Sequence, residues 1–263
     1  MRASLSFPST TLFRPVDIEI AMPGGFTMAK PPFKCLWALH CAMEDGRFFF
    51  DSLGLGELAL KYQIAVVAPS LGNGYFMNSD YERQGDFLQE MFTQLSANFP
   101  LSPRREDNAV LGISMGAFGA LRWALQSGSF CSVTSISGTF DCHVPLDERL
   151  FKSRRQRALH MSLEKTMRGI LLDKDGKTRE DADFEIMFGQ RKDDFPKVNL
   201  FCSEEDYLSL PQTMAIRDVC VRHDCPVNLN LGKGSHDPAY WRHIMPEAVS
   251  GIFENTTLRR QSA

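Results

Sequence analysis

The segment Gly112-Ile113-Ser114-Met115-Gly116 has the form G-x-S-x-G. A serine hydroxyl becomes a nucleophile when a tight turn between a strand and a helix holds it out into the open, and glycines two positions either side leave room for that turn. The flanking residues fit. An apolar run, residues 108–113, precedes the serine, and a stretch rich in small residues, 115–126, follows it. A helix beginning at Met115 would aim backbone N–H groups and a positive dipole end at Ser114. The spacing predicts Ser114 as nucleophile and Gly112 and Gly116 as elbow glycines. A chance match in a loop would lack both the strand and the helix.

A serine hydroxyl needs a base to take its proton. On this kind of elbow the chain order is serine, acid, histidine. His40 precedes the serine. His143 and His160 fall in a stretch without strands, His223 ends a helix, and His243 lies in the last helix. His236 follows the last candidate strand in Gly232-Lys233-Gly234-Ser235-His236-Asp237, a loop able to swing an imidazole over the serine. It is the predicted base. Asp206, in Ser203-Glu204-Glu205-Asp206 after another strand, is the preferred acid, with Glu204, Glu205 and Asp237 as rivals. Its work would be to fix the imidazole tautomer and stabilise the imidazolium.

An acyl carbonyl under attack also needs donors for its developing negative charge. The Met115 amide is one candidate. The other is expected from the turn His40-Cys41-Ala42-Met43-Glu44, at the Ala42 amide. Phe48, Tyr75 and Phe76 are candidate pocket walls by loop position.

The elements needed to hold these groups can be read from hydrophobic period. Residues 33–40, 63–68 and 108–113 read as buried strands, 132–137, 198–202 and 227–231 as further strand candidates, and 16–22 as a half-buried strand. Helical stretches at 48–62, 86–98, 115–126 and 211–223 alternate with them. The alternation predicts a mostly parallel sheet with helices on both faces and antiparallel strands at the start. Residues 140–196 show dense charge and no buried strand, so they read as a helical insertion over the site. One domain, 1–263, is the simplest count.

Composition narrows the classes. A net charge of −3, from 29 basic and 32 acidic residues, gives no field for nucleic acid or an anionic membrane. No apolar run is long enough to span a bilayer. The first fifteen residues lack the pattern of a signal peptide. Seven cysteines without C-x-x-C spacing read as reduced thiols, hence a cytoplasmic location. The basic run Lys152 to Arg157 reads as a solvated helix face, and Asp173-Lys174-Asp175-Gly176 as a turn without the remaining ligands of a calcium loop. No metal and no cofactor is expected. The partner is a small acyl ester, and a homo-oligomer is left open.

Several motifs, in order, resemble the esterase D and tributyrin esterase branch of the putative-esterase family. That family includes S-formylglutathione hydrolases and is related to mycolyltransferases. Leu39-His40 with Glu44-Asp45 resembles "LLHG…D", and Val66-Val67-Ala68-Pro69 resembles "VVMP". Phe99-Pro100-Leu101-Ser102 with Arg105-Glu106-Asp107 resembles "FPIS…RED". Ile113-Ser114-Met115-Gly116 with Gly119-Ala120-Leu121 resembles "LSMGGYGAL", and Ser137-Gly138 resembles its "LSG". Met187-Phe188-Gly189 contains its "FG". Cys202 to Leu208 resembles "CGTEDFL", which implies Asp206 as acid, and His236-Asp237 with Tyr240-Trp241 resembles "HDWAYW", which implies His236 as base. The resemblance implies an α/β-hydrolase fold, hydrolysis of short-chain acyl esters without metal or organic cofactor, and a helical insertion over a small acyl pocket. Cys41, Ala117, Ser203 and Pro238 depart from the family pattern, and residues 189–196 look shortened. Cys41 stands where the family has glycine, so a turn needing φ > 0 there would be strained.

The expected function is a serine carboxylesterase working through an acyl-enzyme on Ser114. Acyl transfer or acylglutathione hydrolysis would use the same triad. A silent hydrolase fold used as a binding module is the alternative that Cys41 raises.

Overall fold

The computed structural model describes residues 1–24, 30–144, 153–191 and 194–253. Apolar runs in the middle of the sheet and alternating segments at its edges form strands β1 (Arg2–Ser9), β2 (Arg14–Ala21), β3 (Cys35–Leu39), β4 (Ala65–Pro69), β5 (Asn108–Ile113), β6 (Ser132–Ile136), β7 (Lys197–Ser203) and β8 (Val227–Gly232). They make one sheet in the order β1-β2-β4-β3-β5-β6-β7-β8. β1 pairs antiparallel with β2, and β2 antiparallel with β4, while every later pairing is parallel. This is the arrangement of an α/β-hydrolase.

Strands β3 to β6 are buried at every residue because helices cover both faces. Side chains alternate between the two resulting cores. Trp37, Leu39, Val67 and Val110 join one, with Phe92, Trp123 and Phe130. Leu36, Ala38, Val66, Ala109 and Leu111 join the other, with Phe49, Trp241 and Met245. Helices α3 (Gln84–Asn98), α4 (Met115–Ser127) and α7 (Leu210–Arg222) follow their strands as expected, and α8 (Pro238–Ser250) closes the described chain. The single helix expected at 48–62 is instead two, α1 (Phe48–Asp51) and α2 (Leu55–Tyr62). Gly54, in the left-handed region at φ 71°, turns the chain between them.

Between β6 and β7 lie α5 (Arg154–Leu171) and α6 (Phe184–Gln190), with no sheet strand among the described residues there. α5 buries Met167 and Leu171, and α6 buries Phe184, Met187 and Phe188. Residues 173–176 form a turn, in which Asp173 Oδ1 accepts from the amides of Asp175 and Lys177. A buried arginine ties this region to the main body. Arg122 of α4 donates from Nε to Asp181 O at 2.8 Å and from Nη2 to Asp181 Oδ2 at 3.0 Å. Arg179 also reaches Asp181 and donates to Asn78 O at 2.9 Å. Arg122 is the buried member of this pair and Asp181 is partly exposed, so removing the arginine leaves the Asp181 carbonyl and carboxylate short of a donor. Arg122→Ala is expected to lower the unfolding free energy by about 3 kcal/mol, measured by urea denaturation; a change below about 0.5 kcal/mol would show that the anchor is dispensable.

Candidate active site

Ser114 occupies the turn between β5 and α4, with φ 53° and ψ −114°. A Cβ on Gly112 would lie 1.9 Å from Gly116 O, and one on Gly116 would lie 2.0 Å from Leu39 O. Neither distance is physically tolerable, so glycine is required at both positions. The Ser114 amide donates to Ile136 O at 2.9 Å, and its carbonyl accepts from Ala117 N at 3.0 Å. These bonds fix the turn between β6 and the first turn of α4.

His236 sits on the loop between β8 and α8. Its Nε2 lies 3.0 Å from Ser114 Oγ and its Nδ1 lies 2.9 Å from Asp206 Oδ2. Three groups more than twenty residues apart in sequence thus form one hydrogen-bonded line. The next residue, Asp237, caps α8 by accepting from Tyr240 N at 3.0 Å. Pro238 takes the first helical position, where its missing N–H is harmless. Trp241 then meets the His236 ring edge-on at 5.2 Å.

Asp206 is almost fully buried, whereas its rivals Glu204 and Glu205 are exposed and Asp237 is occupied as a helix cap. Its Oδ1 accepts from Ser209 N at 2.9 Å. Burial opposes ionisation of this carboxyl. The His236 ring, the Ser209 amide and the Ser137 hydroxyl outweigh it and hold the pKa below the ordinary carboxylate value.

Two serines beside this line are not singled out by the sequence as site residues: Ser209 falls outside every motif, and Ser137 enters only as part of the "LSG" resemblance. Ser209 Oγ lies 3.1 Å from His236 Nδ1 and donates to Ser137 O at 2.8 Å. Its proton is therefore spent on Ser137, and its lone pairs face the imidazole Nδ1–H together with Asp206. Ser137 has φ 49° and its Oγ accepts from Trp241 Nε1 at 3.2 Å. The three-residue spacing from Asp206 to Ser209 was the available sequence signal, since a carboxylate often accepts from an amide a turn later.

The turn after β3 is held by a buried imidazole. His40 Nδ1 donates to Cys41 O at 2.8 Å, and His40 Nε2 accepts from Leu71 N at 3.0 Å. Met43 N donates to Asn73 Oδ1 at 2.8 Å, and Glu44 N donates to Cys41 O at 3.3 Å. The Cys41 carbonyl and the Ala42 N–H belong to one trans peptide, so fixing the first fixes the second on the opposite side. Among the described residues neither the Ala42 nor the Met115 amide has a hydrogen-bond partner. The strain expected at Cys41 is absent: the left-handed residue is Met43, at φ 68°. Cys41 itself is buried in the apolar cluster that includes Phe48 and Trp241.

A cavity of about 280 Å³ opens over Ser114 and His236. Tyr75, Leu159, Leu163, Met167, Leu208 and Trp241 give it apolar walls. Tyr75 is buried, which pushes its hydroxyl up to about 12. Phe48 and Phe76, expected as walls, lie behind it. Phe48 packs on Trp241, and Phe76 packs on His40. A wider cleft of about 500 Å³ at the other end of the sheet, around Phe33, Ile64 and Val249, contains none of the predicted site residues.

Asp141, Cys142 and His143 bring ligand-type atoms within 4.8 Å of one another. Cys142 is packed in the core, and burial raises its thiol pKa, which opposes the thiolate a metal would need. No helix of the described residues is long and apolar enough to cross a membrane.

FphF of Staphylococcus aureus, a fluorophosphonate-binding serine hydrolase, superposes on 97 % of this chain and 99 % of its own with a TM-score of 0.80 at 22 % identity. The S-formylglutathione hydrolase FrmB of the same organism gives 0.77 over the same shares, also at 22 % identity. At that identity the likeness is one of fold. In sequence, the acetyl esterase of Caldicellulosiruptor saccharolyticus is 22 % identical over 223 residues, covering 82 % of this chain and 81 % of the relative. The model of the family described as "Putative esterase" matches residues 68–252, from within β4 to beyond α8, and the chain belongs to that family.

Proposed function

We propose that this chain is a serine carboxylesterase hydrolysing short-chain acyl esters, with Ser114 as nucleophile, His236 as base and Asp206 as acid. One observation carries the reading: the Asp206–His236–Ser114 line, with links of 2.9 and 3.0 Å, ends at a hydroxyl facing a small apolar cavity. Ser114 Oγ attacks the ester carbonyl as His236 Nε2 takes its proton. The buried Asp206 carboxylate, with Ser209 Oγ beside it, stabilises the imidazolium that forms. The Ala42 and Met115 amides receive the oxyanion, each contributing roughly 3 kcal/mol in the transition state. His236 then protonates the leaving alcohol. Water enters by the same route and releases the carboxylic acid.

The cavity volume supports a short acyl chain, since it lies at the small end of ligand sites. All seven cysteines are free, which supports a reducing cytoplasm as the location. Cys41 at ordinary backbone angles, with the Ala42 amide unengaged, favours an active enzyme over a silent fold.

His40 acts in this reading as a positioning residue for the Ala42 amide. Its bond to Leu71 N requires an unprotonated Nε2, and burial lowers its pKa. The unfolded chain protonates near about 6.5, above the folded value, so it binds more protons in the window below that pH. Folding stability from this residue is complete above about pH 6.5 and declines as pH falls through the folded pKa. Urea unfolding from about pH 7 to pH 5 should show that decline, and His40→Gln should flatten it. An identical slope in the variant would remove His40 from the account.

Ser114→Ala is expected to lower p-nitrophenyl acetate hydrolysis by at least about a thousandfold with an unchanged melting temperature, and to abolish labelling by a fluorophosphonate probe. Full retained activity would end the proposal. Ser209→Ala should lower kcat about tenfold with KM nearly constant, with partial recovery in Ser209→Thr. A rise in KM at constant kcat would mean that Ser209 shapes the pocket instead of the imidazole.

A further inference from the structure

The cavity over Ser114 is lined by three carboxylates and, among the described residues, by no lysine or arginine. Glu44 stands on the turn that carries the Ala42 amide, Asp141 on the loop after β6, and Glu164 on α5, so negative groups reach the cavity from three separate elements. Glu164 is paired with Arg168 Nε at 3.1 Å. Among the described residues Glu44 and Asp141 have no ion-pair partner. Burial and the neighbouring Asp45 both raise the Glu44 pKa, and no cation acts in the opposite direction. His160, the other titratable group of α5 on the cavity wall, brings no compensating charge, because burial and then His236 lower its pKa. Residues 145–152, outside the described residues, follow Val144 of the cavity wall; their Asp147, Glu148, Arg149 and Lys152 cancel in charge.

We infer that the site selects esters by the charge of the leaving group, accepting neutral or amine-bearing alcohols and rejecting esters or thioesters that carry a carboxylate close to the acyl bond, acylglutathiones included. The inference rests on ester hydrolysis at Ser114. A unit charge about 8 Å from another changes an association constant roughly twofold in bulk water and more than tenfold at the effective permittivity near a protein surface. Two uncompensated carboxylates over a cavity this small therefore discriminate without any direct hydrogen bond to the substrate. The same field acts on the product. Hydrolysis converts a neutral ester into a carboxylate, which the Glu44 and Asp141 charges repel from the site.

The test uses butyl acetate, 4-aminobutyl acetate and 4-acetoxybutanoate, three esters of similar size whose alcohols are neutral, cationic and anionic at pH 7. Each kcat/KM is divided by the ester's own hydroxide-catalysed rate. At low ionic strength the amine ester should exceed the carboxylate ester by about tenfold, shrinking toward about twofold in 0.5 M NaCl. Glu44→Gln should reduce that ratio and Glu44→Lys should bring it to about one or below; each ratio is internal to one protein preparation, so a lower overall rate does not disturb it. Should the lysine variant not fold, the salt series and Glu44→Gln decide. Turnover of butyl acetate with a ratio at or below one in the wild type, or with a ratio indifferent to salt and to both substitutions, overturns the charge selection and leaves the esterase standing. No turnover of any of the three, together with no fluorophosphonate labelling of Ser114, overturns the hydrolase reading and the selection with it.

Discussion

The rest of the site depends on the backbone of Ser114, which is held at φ 53° and ψ −114°, outside the regions an L-residue favours. Such a conformation costs of order 1–3 kcal/mol and persists only where its surroundings leave no alternative. Here β5, β3 and α4 supply that constraint. Gly116 lies so close to Leu39 O, and Gly112 to Gly116 O, that no side chain fits at either position. The amide of Ser114 is tied to Ile136 O on the neighbouring strand. The Ser114 hydroxyl is therefore presented by the sheet and helix as one rigid unit, and the strain is balanced by burial of the strands around it.

The two halves of the proposed chemistry hang from opposite sides of that unit. On one side Asp206, Ser209, Ser137 and Trp241 surround the Nδ1 edge and flank of His236, so the ring has one tautomer and one orientation. On the other side His40 holds the Cys41–Ala42 peptide by one bond of 2.8 Å to the Cys41 carbonyl and is itself held by the Leu71 amide at 3.0 Å. Both arrangements use a buried polar group whose partners are all protein atoms. Inside a low-permittivity interior, satisfied groups of this kind hold direction more firmly than exposed ones. Preorganisation of this sort lets donors and base meet the transition state without rearranging when charge develops.

The proposed selectivity draws on different material. The elbow and its supports lie in the core, whereas the cavity walls are drawn from the turn after β3, the loop after β6 and α5. Arg122 of α4 and Gln212 of α7 connect that outer layer to the helices packed on the sheet. Gln212 Oε1 accepts from the amides of Phe140 and Asp141, and Arg122 reaches Asp181. Changes in the outer layer can alter charge and size around the acyl group without touching the geometry of Ser114. That separation is how one sheet supports many ester substrates.

The chain alone was enough for seven of the eight strands, because they show as apolar runs or as polar-apolar alternation with ends marked by turns, and for the elbow, because G-x-S-x-G between strand and helix has few other physical uses. Antiparallel strands at the start were expected, but nothing in Arg2–Ser9 singled it out as a strand: its outward positions are polar and its register comes from β2. The break at Gly54 was hidden because apolar residues continue on both sides of it. The roles of Ser209, Ser137 and His40 could not be read from the chain for a deeper reason. A serine or histidine acquires a role only through the atoms that face it, and those atoms arrive from strands and loops tens of residues away. Cys41 shows the converse. Its departure from the family pattern suggested strain, yet the turn places its left-handed residue at Met43, and only the folded backbone determines which residue must bend. Residue type and spacing decide which chemistry is available; the directions of the lone pairs and N–H bonds that carry it out are properties of the packed fold.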